Sequence, residues 1–255
     1  MNIGHVVKGS GSEKVIIMHD WQGDHRNYDG IIPYLDTDTF TYAFMDLRGY
    51  GWSRDIAGEH TAAEASADAI GLAEQLGFDS FHVVGHSMTG MVVQRIAIDA
   101  GPRIKSVVAA NPVPACGIKM PADNLAFFES SIRDDAAFKT LLMGIVSPAL
   151  SATWQNYKLH ICRDSADFAT RSDYLRMFTS TDFSAEAQGI ETPILVLGGE
   201  YDHESLSESA LTETFGSWYP NATIKICVNA GHYLMEEMPI YFVSAIEAFM
   251  REHGA

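Results

Sequence analysis

Ser87, Asp202 and His232 are the residues whose types and spacing point to chemistry. A serine hydroxyl is a weak nucleophile until a base takes its proton, and that base needs an acid to orient it. Each of the three follows a short apolar run. Phe81-His82-Val83-Val84-Gly85 leads into His86-Ser87-Met88-Thr89-Gly90, Pro193-Ile194-Leu195-Val196-Leu197 into Gly198-Gly199-Glu200-Tyr201-Asp202, and the run 223–228 into Asn229-Ala230-Gly231-His232. Such runs read as buried strands. If the strands are parallel, their C-terminal ends share one edge of the sheet, and the three side chains meet there. Acyl transfer is the chemistry such a trio performs.

Acyl transfer also needs donors for a developing oxyanion. The Met88 amide, directly after the serine, is one candidate. The Trp21 amide, in the loop His19-Asp20-Trp21-Gln22-Gly23 after an earlier apolar run, is the other. Each assignment has a plainer competitor. A serine in a β–α turn also serves as a helix cap, and Trp21 as a packing aromatic. Asp202 competes with Glu200 for the acid role and with a capping role for a helix starting near residue 204. His232 competes with a satisfied loop histidine.

The elements that must position these groups follow from the hydrophobic pattern. Apolar runs at 14–19, 40–46, 81–85, 104–110, 193–197 and 223–228 predict strands. Helical spacing at 63–76, 87–100, 206–215 and 239–251 predicts helices between them. Alternating strands and helices argue for an α/β fold with a mostly parallel sheet and helices on both faces. The alternation stops between 113 and 189, where short amphipathic patterns at 124–133, 135–143, 153–161 and 166–178 are punctuated by prolines. We read 1–112 and 190–255 as the core and 113–189 as a helical cap over the ligand-binding edge. The expected pocket residues are Trp21, Asp20, His25, Phe127, Phe128, Trp154, Tyr157, Met177 and Tyr233.

Five motifs in this order make the chain resemble α/β-hydrolase fold proteins over nearly its whole length: His19-Asp20-Trp21, Asp46-Leu47-Arg48-Gly49-Tyr50-Gly51-Trp52-Ser53, Gly85-His86-Ser87-Met88-Thr89-Gly90, Gly199-Glu200-Tyr201-Asp202 and Gly231-His232. The resemblance implies a nucleophile elbow at Ser87, partners in the chain order serine, acid, histidine, and an oxyanion hole formed by the Trp21 and Met88 amides. Some relatives carry the acid after the strand ending near residue 110; Asn111 removes that option here. Two positions depart from the pattern. Asp20 replaces a glycine in the oxyanion loop, and Thr89-Gly90 replaces a glycine pair in the elbow.

The expected activity is hydrolysis of a small-molecule carboxylic ester or lactone through an acyl-enzyme. The alternatives are a carbon–carbon bond hydrolase or cofactor-free perhydrolase with the same trio, and a low-turnover ligand receptor. None of these calls for a cofactor, and no histidine or cysteine cluster has zinc-like spacing, so no metal is expected. The formal charge of −16 disfavours nucleic acid and anionic membranes as partners. No apolar run approaches bilayer-spanning length. Three well-separated cysteines form no disulfide framework, and the first residues carry no secretory pattern. Together these predict a cytoplasmic protein acting on a small molecule.

Overall fold

The computed structural model describes residues 2–254. Seven strands form one sheet: β1 (His5–Lys8), β2 (Glu13–Met18), β3 (Phe40–Met45), β4 (Phe81–His86), β5 (Ile104–Ala110), β6 (Ile194–Gly199) and β7 (Ala222–Cys227). Their order is β1-β3-β2-β4-β5-β6-β7, with β1 antiparallel to β3 and every other pairing parallel. The six expected strands are present. β1 is the addition, a four-residue edge strand whose Val7 is 43% exposed. So short and half-wet a segment has too little apolar pattern to read in sequence.

The helices are α1 (Ala62–Gln75), α2 (Met88–Ala100), α3 (Ala122–Ser131), α4 (Asp135–Met143), α5 (Ala152–Ser165), α6 (Phe168–Ser180), α7 (Ser184–Ala187), α8 (Glu208–Leu211), α9 (Leu234–Glu237) and α10 (Pro239–Glu252). The helix expected at 206–215 is broken instead. A short α8 passes into a π turn at Thr212–Gly216, where Thr212 and Thr214 hydroxyls bond back to the carbonyls of Glu208 and Ala210. Such back-bonding bends a helix.

Successive strand residues face opposite ways, and this builds two cores. Ile16 and Met18 of β2, Val83 of β4 and Val107 of β5 pack into one with α1 and α2. Val15, Ile17, Val84 and Val108 pack into the other with Phe242, Ile246 and Phe249 of α10. The central strands are therefore buried on both faces, as their continuous apolar runs require. Between β5 and β6 the chain contains α3 to α7 and no strand.

Candidate active site

The serine turn is built from a strained residue and two close approaches. β4 ends at His86, and α2 begins at Met88. Ser87 between them has φ 54° and ψ −113°, a conformation that costs a non-glycine residue about 1–3 kcal/mol. Backbone bonds over-determine it: Ser87 N–H donates to Ala110 O, and Ser87 O accepts from Gly90 N–H and Val113 N–H, each at 2.9 Å. A Cβ on Gly85 would lie 2.3 Å from Thr89 O, and one on Gly90 would lie 2.4 Å from the Pro112 side chain. Thus Gly90, one residue later than usual, makes the close contact. Thr89 staples the turn, its hydroxyl accepting from His86 N–H at 2.9 Å and lying 3.1 Å from Met18 O.

The loops after β6 and β7 bring the other two residues in. A Cβ on Gly199 would fall 2.1 Å from Gly231 O, so the glycine lets these loops touch. His232 Nε2 lies 2.8 Å from Ser87 Oγ, and His232 Nδ1 lies 2.8 Å from Asp202 Oδ2. His232 N–H donates to Ile145 O at 2.7 Å, tying the loop to the 113–189 segment. Glu237, which sequence reasoning missed, accepts from the amides of Gly231 and Tyr233 at 2.9 Å each. Burial alone would lower the His232 pKa, but the charge and hydrogen bond of Asp202 outweigh it and leave the pKa raised.

Asn111 is the second residue missed. It sits just past β5 with φ 44° and donates from Nδ2 to Asp202 Oδ2 at 2.6 Å. The same oxygen faces His232, while Asp202 Oδ1 accepts from His203 N–H at 2.7 Å. Absence of a carboxylate at this position was legible; the role of the amide that replaces it was not. Asp202 does not cap the turn at Glu204–Leu206; the His203 side chain does. Glu200 instead accepts from Asn229 N–H at the surface. His86 packs beneath the site and bonds His232 O through Nε2 at 2.7 Å; burial pushes its pKa down to about 3.

Trp21 is fixed at both ends. Its indole N–H donates to Arg171 O of α6 at 2.8 Å, and its carbonyl accepts from Tyr50 OH at 2.9 Å. Met88 is the first residue of α2, so its amide has no acceptor within the helix. The Asp46–Ser53 motif supports this loop from behind. The buried Asp46 carboxylate accepts from the amides of His25 and Trp52 at 2.8 Å each. Donor atoms of Asp24, His25 and Asp46 lie within 4.8 Å of one another, the one such group of metal-ligand types among the described residues. Their atoms are already engaged, Asp24 by Arg26 and Asp46 by His25 and backbone amides.

Ser87 and His232 open onto a cavity of about 490 Å³. Of the expected pocket residues, Asp20, Trp21, Phe127, Phe128 and Tyr233 line it. Four do not reach its wall. His25 is held 2.9 Å from Asp46 and packs at a tilt against Trp52. Trp154 packs edge-on against Tyr233 with its N–H on Glu236. Tyr157 is 43% exposed, and Met177 is buried in the core, so the next residue on α6, Phe178, faces the cavity in its place. The remaining walls are mostly apolar, with Val113, Ile118, Met120, Leu141 and Ile145 among them. Gln22, Asn124 and Thr140 add polar groups. No helix of the described residues is long and apolar enough to cross a membrane.

A sequence profile of the alpha/beta hydrolase family matches residues 12–245. The chain is 33% identical over 113 residues to the dihydrolipoyllysine-residue acetyltransferase component of the acetoin cleaving system of Cupriavidus necator, a match covering 44% of this chain and 30% of that protein. It is 23% identical to 2-hydroxy-6-oxononadienedioate/2-hydroxy-6-oxononatrienedioate hydrolase 1 of Dechloromonas aromatica, covering 90% of this chain and 83% of that one. It is 24% identical to the pimeloyl-[acyl-carrier protein] methyl ester esterase of Nitrosomonas europaea, covering 96% and 98%. The structure of a bromoperoxidase from Bacillus anthracis superposes with a TM-score of 0.85 at 23% identity, covering 97% of this chain and 94% of that one, which bears on the fold.

Proposed function

Since the chain belongs to the alpha/beta hydrolase family, we propose that it is a serine hydrolase of small-molecule carboxylic esters or lactones. The observation that carries this is the unbroken hydrogen-bonded series Ser87 Oγ–His232 Nε2 and His232 Nδ1–Asp202 Oδ2, 2.8 Å at each step. His232 takes the Ser87 proton as Oγ attacks the carbonyl carbon. The charge that develops on the carbonyl oxygen meets the Trp21 and Met88 amides. His232, now an imidazolium held by Asp202, returns the proton to the leaving alkoxide. Water then repeats the sequence on the acyl-enzyme, with His232 as its base, and releases the acid. The helices of 113–189 act as a cap that supplies apolar walls.

The likeness to an oxononadienedioate hydrolase along 90% of the chain supports a second reading, in which the same trio cleaves a carbon–carbon bond. A panel of esters, lactones and vinylogous diketones, with and without peroxide, separates these readings and the perhydrolase and receptor alternatives. The main reading expects turnover of esters or lactones in water and a loss of several orders of magnitude in kcat in Ser87→Ala. Retention of near-wild-type ester hydrolysis by that variant sinks it.

A further inference from the structure

The cavity contains a carboxylate that the Ser87–His232–Asp202 series does not use. Asp20 lines the wall and is 1% exposed. Its Oδ1 accepts from Asn27 Nδ2 and its Oδ2 from Tyr233 OH, both at 2.7 Å. Behind these partners lies a fully buried lysine. Lys158 of α5 donates from Nζ to Asn27 Oδ1 at 2.8 Å and to Glu236 Oε1 at 2.7 Å, and sits 4.3 Å from the Tyr233 ring centroid. Burial alone would raise the Asp20 pKa, but the Lys158 charge and the Tyr233 hydrogen bond leave it lowered, so Asp20 is a carboxylate at neutral pH.

The charges of this network do not cancel. Asp20 and Glu236 contribute two negatives and Lys158 one positive, and the Lys158 ammonium is bonded to Glu236 and Asn27, behind the cavity wall. Of the other lining residues, Lys119 and Glu204 are exposed. An acyl group placed at Ser87 thus meets apolar walls, the buried carboxylates of Asp20 and of the His232-paired Asp202, and no buried lysine or arginine. A carboxylate on that group would lose its hydration and face a like charge at low dielectric. An N–H or O–H would find a fixed acceptor.

We infer that Asp20 sets the charge specificity of the cavity, which admits neutral or hydrogen-bond-donating acyl groups and rejects those bearing a carboxylate. This rests on the serine-hydrolase reading. It also gives the departure at Asp20 a purpose: the glycine usual at this position leaves no charge there.

The test compares kcat/KM for three 4-nitrophenyl esters of similar acyl length: valerate (neutral), glutaramate (an amide donor) and hemiglutarate (a carboxylate). The wild-type protein is expected to favour the first two over hemiglutarate by on the order of 100-fold. Asp20→Asn keeps the shape, and its amide can serve both Asn27 and Tyr233. It is expected to narrow the gap at least about tenfold by raising the hemiglutarate rate. Equal rates for glutaramate and hemiglutarate in the wild-type protein overturn the inference without any variant, as does an unchanged ratio in Asp20→Asn. Turnover of none of the esters sinks the serine-hydrolase reading itself, which separates that failure from this one.

Discussion

Asn111 shows how one side chain can matter without touching substrate. Its amide donates to the Asp202 oxygen that faces His232, so it sets where that carboxylate points. A buried hydrogen bond to a charged group contributes about 1.5–3 kcal/mol. Steady-state kinetics of Asn111→Ala are therefore expected to show kcat reduced about tenfold or more at nearly unchanged KM. A wild-type kcat would remove Asn111 from the account. The protonation of His232 gives a second test. Its pKa is raised above the ordinary 6.5, and only the neutral ring accepts the serine proton. Activity is lost as pH falls through that raised value, so the acid limb of the kcat/KM profile lies above 6.5. Asp20 is among the charges that raise it, so the limb moves to lower pH in Asp20→Asn. A limb at or below 6.5 in the wild-type protein contradicts this electrostatic picture.

The turn between β4 and α2 is where elements meet chemistry, and Thr89 joins them. Its hydroxyl ties His86 N–H to the end of β2. Thr89→Gly is expected to lower stability to urea by about 1–2 kcal/mol, and Thr89→Ser to retain most of it. Equal loss in both variants would assign the effect to the methyl group instead. The strands, the serine turn and the loops holding Asp202 and His232 were legible because they rest on local signals: apolar runs, glycines and chain order. The pocket was less so. Met177 and Phe178 are neighbours on α6, and which one faces the cavity depends on the rotation of that helix against the sheet. Trp154 stands behind Tyr233, and no spacing in the sequence says which aromatic is in front. β1 was invisible because an edge strand needs few apolar residues. Asn111 and the Asp20–Lys158 network were missed because they join residues far apart in sequence, and Glu237 because its bonds to the nearby Gly231 and Tyr233 amides depend on how the loop folds back.

Across the whole molecule, buried histidines tie stability to pH. Burial pushes His82 down to about 4 and His86 down to about 3, so both stay neutral in the folded chain where an unfolded chain would protonate them. Between pH 6.5 and about 4 the unfolded state binds more protons, so folded stability falls as pH falls through this window. Each group contributes up to about 1.4 kcal/mol per pH unit there. His232, with its raised pKa, acts oppositely: its contribution is full below 6.5 and is lost as pH rises through the folded value. Urea denaturation at several pH values is expected to show stability declining from pH 6.5 toward 4, and a flat profile contradicts the neutral burial of His82 and His86. The central claim is that this fold makes Ser87 a nucleophile. A fluorophosphonate added to the wild-type protein, with the modified peptide identified by mass spectrometry, tests it most directly. A single adduct on Ser87 is expected, formed quickly in the wild-type protein and far more slowly in His232→Ala. No adduct on Ser87, or labelling that is indifferent to His232, would contradict it.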